Sequence, residues 1–255
     1  MNKTILITGA SSGIGKATAK LFQGKSWNVI ATMRSPEKEE ELTKLDNVLV
    51  IRLDVLDSAS IQSAVDEGIA KFGKIDVLLN NAGYGAYGPL EAWDMDGIRR
   101  QFETNVIGLL AVTKSVLSHM RANKSGFIVN ISSYGGKMSF PLGTLYNGTK
   151  FAVEGLSEAL HYELEDIGIK VKIIEPGAIR TEFSDRSFDF RNDESLTEYQ
   201  PIVGKFIATF KSVMSQGSSP AEVVAKVIYE AVTDGTGRLR YTAGEDAKKY
   251  VADRK

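Results

Sequence analysis

The chain has 255 residues, 43% of them apolar and 25% charged, a length and balance that fit one α/β domain with room to bury a substantial core. A net charge of −1 gives no reason to expect nucleic acid or an anionic membrane as a partner, and no apolar run approaches the roughly 20 residues of a membrane helix. There is no cysteine, which removes disulfides, thiolate catalysis and cysteine-ligated metals together and suits a cytoplasmic setting. The two histidines, His119 and His161, fall in separate helical patterns, so no metal site is expected.

From the N-terminus, a strand is predicted at 4–8, with no signal peptide or lipidation motif ahead of it. It runs into Thr8-Gly9-Ala10-Ser11-Ser12-Gly13-Ile14-Gly15 and then a helical run at 16–22. Glycines let a backbone turn tightly and approach a pyrophosphate, and the following helix offers free N–H groups and a positive dipole end. The spacing is Gly-x-x-x-Gly-x-Gly, which departs from the six-residue dinucleotide fingerprint. A second strand at 28–33 ends on Met33-Arg34-Ser35, and the acidic run Glu37, Glu39, Glu40 and Glu41 is expected on a helix facing water. A third strand at 48–52 precedes Asp54-Val55, and a helix follows at 58–72. The fourth strand, 77–80, leads into Asn80-Asn81-Ala82-Gly83, and the long helical stretch 94–123 carries Asn105.

The fifth strand, 126–131, closes on Ser132-Ser133, and a helix spanning 146–168 opens on Tyr146-Asn147-Gly148-Thr149-Lys150. The sixth, 170–175, closes on Pro176-Gly177, with Thr181 just beyond. An irregular stretch at about 183–210, rich in Ser, Asp and aromatic residues, reads as a substrate flap inserted in the single domain. The last helix, 220–234, has Ser219 as candidate N-cap, Pro220 at the first helical position and Glu222 completing a capping box, and a seventh strand follows at 238–243. Strands that read as continuous Val/Ile/Leu and alternate with helices indicate a doubly wound, mostly parallel seven-stranded sheet with helices on both faces, a Rossmann-like α/β fold.

These segments, in this order, resemble the short-chain dehydrogenase/reductase family in its compact single-domain branch, over nearly the whole chain. The resemblance implies that Gly9, Ser11, Ser12, Gly13, Ile14 and Gly15 line the diphosphate of a bound NADP(H), that Asp54 and Val55 meet its adenine, and that Asn81, Ala82 and Gly83 border the adenosine ribose and its neighbouring backbone. Pro176, Gly177, Ile179 and Thr181 would flank the nicotinamide, with Tyr146 and Lys150 also touching the cofactor. It further implies Ser133, Tyr146 and Lys150 as catalytic residues, with Asn105 holding a water that links Lys150 to solvent. Relatives also pair their two long helices across a two-fold axis, so a homodimer or homotetramer is expected. In this chain those helices carry apolar residues on more than one face: Val106, Leu109, Leu110, Val112, Phe151, Val153 and Leu156.

The chemistry agrees with that assignment. Reducing a ketone requires a hydride on carbon and a proton on oxygen. Tyr146 and Lys150 are four apart and share a helix face, and an ammonium beside a phenol is expected to lower its pKa from the usual value near 10. Such a phenol gives a proton in reduction and takes one in oxidation. Ser133 lies 13 residues before Tyr146, the family's spacing for a serine that stabilises charge on the substrate oxygen. Ser132 is the less suited neighbour. Gly148, where the family usually has alanine or serine, could allow a close approach by a helix or the cofactor.

Cofactor choice turns on the end of the second strand. Enzymes that choose NAD place an acidic residue there, whereas this chain has Met33, followed by Arg34 and Ser35, which suit a 2′-phosphate. Tyr84, Tyr87, Tyr134, Phe140, Leu142 and the flap residues Phe183, Phe188, Phe190, Tyr199, Phe206 and Phe210 suit a hydrophobic ketone or alcohol. Residues 238–247 resemble relatives acting on steroids, retinoids or acyl-lipid ketones. A non-catalytic NADP-binding regulator is the alternative from another class, and a dinucleotide-using lyase or epimerase is the third reading.

Overall fold

The computed structural model describes residues 2–181, 187–216 and 218–253. In chain order the first half holds β1 (Thr4–Ile7), α1 (Gly13–Gly24), β2 (Asn28–Met33), β3 (Val48–Arg52), α2 (Ser58–Phe72), β4 (Val77–Asn80), β5 (Gly85–Tyr87), α3 (Met95–Phe102) and α4 (Gly108–Asn123). The second half holds β6 (Gly126–Ile131), α5 (Thr144–Glu165), β7 (Ile169–Pro176), β8 (Ile179–Arg180), β9 (Phe188–Phe190), α6 (Gln200–Gln216), β10 (Ser219–Pro220), α7 (Ala221–Thr233), β11 (Arg240–Ala243) and α8 (Glu245–Asp253).

The main sheet runs β11-β7-β6-β4-β1-β2-β3 with every pair parallel. Side chains alternate between the two faces of a strand, and β1 shows the consequence. Ile5 and Ile7 join one apolar cluster with Phe22 of α1 and Val224 and Ile228 of α7, while Leu6 joins the other with Ile61 and Val65 of α2 and Val112 and Val116 of α4. A side chain as fully enclosed as Phe22 contributes about 1.5–3 kcal/mol. Strand order reverses between β1 and β4, which opens a crevice at their carboxyl ends, the place where such sheets bind ligands. A buried polar relay fixes what lies beside it. Asn80 of β4 donates to Asn130 of β6 (2.8 Å), and Asn130 donates to Ser157 of α5 (2.8 Å). No helix among the described residues is long and apolar enough to cross a membrane.

Four expectations are corrected. The acidic run after β2 forms no helix. It is two short 3-10 turns, Pro36–Lys38 and Leu42–Lys44, and Glu39 between them is buried. Glu39 is drawn in because its carboxylate accepts the N–H groups of Glu41 and Leu42 (both 2.9 Å) and pairs with Lys16 of α1 at 3.0 Å. At α7, the helix begins one residue later than expected, with Pro220 in the cap position and no side chain capping it. Ser219 is unavailable as a cap because its backbone pairs with Ile179 in the β8–β10 ladder, so Glu222 acts only as a first-turn charge. The stretch 94–123 is not one helix: a π-helical turn, Glu103–Ile107, separates α3 from α4. Finally, Val106, Leu109, Val112 and Val153 are buried within the chain, whereas the large apolar groups left exposed on α3, the π turn and α5 are Met95, Phe102, Ile107, Phe151 and Tyr162.

Of the flap, residues 183–186, Phe183 among them, lie outside the described residues. Beyond them β9 pairs in parallel with β5, placing Phe188 opposite Gly85, and the turn Thr197–Tyr199 leads into α6.

Candidate active site

The site is built where α5 starts beside the end of β6. Tyr146 and Lys150 lie one turn apart on α5, and the Lys150 ammonium donates to the carbonyl of Ile131, the last residue of β6, at 2.9 Å. Ser133 follows in extended backbone. Its hydroxyl accepts the Gly135 N–H at 3.0 Å and shares a hydrogen bond with the Tyr146 side chain. Ser132 turns to the opposite side, toward Glu154.

The electrostatics differ from expectation in one respect. Tyr146 is not lowered: burial pushes its phenol up to about 12, against the pull of the Ser133 hydrogen bond. Loss of water around the hydroxyl outweighs an ammonium whose Nζ lies 5.7 Å from the ring centroid. Burial also pulls Lys150 down to about 8, opposed by the charge of Glu154. In this arrangement Tyr146 rests as the protonated phenol at neutral pH, the form that can donate a proton.

Asn105 sits in the π turn and is buried. Its carbonyl accepts the Tyr84 N–H (3.0 Å), and its amide donates to the Tyr84 carbonyl (2.8 Å) and to Thr149 (3.2 Å), so it ties the loop after β4 to α5 next to Lys150. Among the described residues no neighbouring helix makes a tight approach at Gly148: a Cβ there would meet Phe102 at 3.5 Å, an ordinary contact.

Across the crevice, the turn after β1 forms a cradle only glycine allows. Gly9 has φ +69°, and a Cβ on Gly15 would collide with the Gly9 carbonyl and the Asn81 amide. Ser12 occupies the N-cap of α1, yet no side chain caps that helix and its first turn holds no acid, so the N-terminus faces the crevice with its dipole uncompensated. Asn81 donates to the carbonyls of Thr8 (2.9 Å) and Gly9 (3.0 Å), while the N–H groups of Asn81 and Ala82 both reach Thr8 Oγ1. Asn81 thus braces the cradle. Gly83 stands against Asn105 Oδ1, and Thr181 lies against Gly13, so the segment after β7 closes over the same turn. Asp54 uses one carboxylate oxygen to accept the Leu56 N–H, and Val55 packs on Gly108. Met33 is buried, Ser35 is half-buried and Arg34 is exposed at the end of β2. The cradle and the uncapped helix fit the diphosphate of a dinucleotide.

A family model described as short chain dehydrogenase matches residues 3–192. The chain belongs to the short-chain dehydrogenase family. An uncharacterised oxidoreductase of Schizosaccharomyces pombe is 44% identical over 220 residues, 86% of this chain and 92% of that protein. A short-chain dehydrogenase structure from Streptomyces avermitilis superposes with a TM-score of 0.88 at 34% identity, covering 99% of this chain and 92% of that one. A structure of ElxO with NADP bound gives 0.81 at 30% identity, covering 98% and 100%. This member of the family is therefore an oxidoreductase with the family's fold.

Around Tyr146 the walls are aromatic. Tyr87 lies 5.2 Å from the Tyr146 ring and stacks on Phe188 (4.9 Å), which in turn stacks on Phe210 of α6 (4.7 Å). Two residues near the site were not anticipated from sequence. Asp246 of α8 accepts the Ala178 N–H at 2.7 Å and anchors the segment after β7. Glu154 is the other, and its signal was present: it continues the four-residue spacing of Tyr146 and Lys150.

Proposed function

We propose that this oxidoreductase moves a hydride between NADP(H) and a ketone or secondary alcohol, with Tyr146 as the acid/base. The observation that carries the reading is the Tyr146 hydroxyl, hydrogen-bonded to Ser133 with Lys150 one turn away, facing a glycine cradle across the crevice. A bound nicotinamide dinucleotide supplies or accepts the hydride. In reduction Tyr146 gives its proton to the carbonyl oxygen and Ser133 donates a hydrogen bond to the same oxygen. In oxidation Tyr146 takes the proton back as a phenolate, which the Lys150 ammonium stabilises. The aromatic wall excludes water and favours a hydrophobic substrate. Consumption of NADPH with a panel of apolar ketones is the direct test; tight cofactor binding with no turnover on any of them would instead mark a non-catalytic regulator.

Solved relatives hold NADP in one case and NAD in another, so the preference rests on this chain's own residues. Of the nearby acids, Glu39 and Glu41 are engaged by Lys16, and Glu41 also by Lys20, so their charges are offset beside a 2′-phosphate at Arg34, while Glu37 and Glu40 are exposed to water. A charge-assisted contact is worth about 1.5–3 kcal/mol, so Arg34→Ala is expected to weaken NADPH binding by roughly 10- to 100-fold and leave NADH nearly unchanged. A wild-type enzyme with higher kcat/KM for NADH than for NADPH would refute this role of Arg34.

The exposed Phe102, Ile107, Phe151 and Tyr162 support a homodimer or homotetramer through the side formed by α3, the π turn and α5. Light scattering at micromolar concentration is expected to give a multiple of the 27.8 kDa chain mass, and a monomer would remove the proposal.

A further inference from the structure

Glu154 stands one turn beyond Lys150 on α5, as Lys150 stands one turn beyond Tyr146. The three side chains meet one short piece of backbone: Tyr146 at the Ser133 hydroxyl, Lys150 at the Ile131 carbonyl, and Glu154 beside the Ser132 hydroxyl. Tyr146 and Lys150 face the crevice. Glu154 lies beside the end of β6 among charged groups brought by β7, β11 and the turn after β6.

These surroundings are densely charged. Glu154 is 6% exposed and Glu175 of β7 is 2% exposed. Lys137, just after the turn Tyr134–Gly136, lies 3.9 Å from Glu154 and 3.4 Å from Glu175. Arg240 of β11 lies 3.0 Å from Glu154, 3.7 Å from Glu175 and 2.7 Å from Glu158, the next turn of α5, with His161 beyond. Thr242 donates to the second oxygen of Glu175 at 3.1 Å. Three carboxylates thus face two cations. Among the described residues Glu154 Oε1, Glu175 Oε1 and Ser132 Oγ find no well-formed hydrogen bond; burial raises the Glu154 carboxyl above its ordinary value, with the nearby Ser132 hydroxyl, Arg240 and Lys137 opposing that shift and the charge of Glu175 adding to it. Two of these carboxylates are buried, and Glu154, one helical turn from the half-buried Lys150 ammonium, has little water to screen its charge.

We propose that Glu154 is a positioning residue that keeps the Lys150 ammonium charged, with the end of β6 dividing a proton-transfer face from a supporting electrostatic face. Burial, opposed by the charge of Glu154 one turn away, leaves Lys150 losing its proton as pH rises through about 8. This inference rests on the reading of Tyr146 and Lys150 as the acid–base pair, so its test is made on the lysine itself.

In the full-length chain, lysines carrying a carbon-13 label beside Nζ are titrated by NMR, with Lys150→Met assigning the resonance. Glu154→Gln is expected to lower the Lys150 midpoint by about one pH unit, a tenfold loss of proton affinity. Lys137→Met, at a part-exposed position, removes a cation facing Glu154 and is expected to raise it. An unchanged midpoint in Glu154→Gln overturns the proposal; should that variant not fold, an unchanged midpoint in Lys137→Met does so. A midpoint that moves in a chain that turns over no ketone keeps this inference and discards the proposed reaction. An unmoved midpoint in an active enzyme does the reverse.

Discussion

Tyr146→Phe is expected to fold, bind NADPH as the wild type does and lose turnover by about 10²–10⁴, the usual share of a positioned acid/base. The substitution removes one oxygen and keeps the ring, which still packs on Tyr87 at a centroid distance of 5.2 Å. The fold therefore has little to lose, and the effect should fall on kcat. Cofactor fluorescence and circular dichroism establish that the variant is intact, and steady-state consumption of NADPH with the best ketone of the panel reads the loss. Wild-type-like turnover would sink the mechanism.

Ser133→Ala is expected to cost roughly 10²–10³ in kcat if the hydroxyl acts as a donor to developing charge. This serine has a second role, because its oxygen accepts the Gly135 N–H, and removing such a cap costs about 0.5–2 kcal/mol of stability. The two effects separate by measurement. Lost capping lowers the thermal midpoint and leaves the folded enzyme's kcat alone, whereas lost donation lowers kcat well below the midpoint's onset. A folded Ser133→Ala enzyme within a few-fold of wild type would remove Ser133 from the reacting atoms, leaving it a structural cap.

The sequence by itself determined the sheet and the order of its parts. Strands 28–33, 48–52, 77–80 and 126–131 were legible to the residue, since a buried strand between two helical layers must be continuously apolar and its ends are marked by polar or glycine residues. The glycine turn, the Asn81 segment, Ser133 and the Tyr146/Lys150 pair were legible because each is a local pattern at the carboxyl end of a strand. What only tertiary structure decided depends on partners distant in the chain. Glu39 looked solvated until Lys16, 23 residues earlier, drew it inward. Ser219 looked like a helix cap until Ile179 took its backbone. The break at Asn105 follows from the Tyr84 and Thr149 groups it has to reach, which a helical pattern does not encode. The phenol of Tyr146 is raised rather than lowered because packing strips its water, and Glu154 matters because β7 and β11 bring Glu175 and Arg240 to it. Periodicity records which face of an element is buried; the charge and hydration of a side chain depend on what the fold places against it.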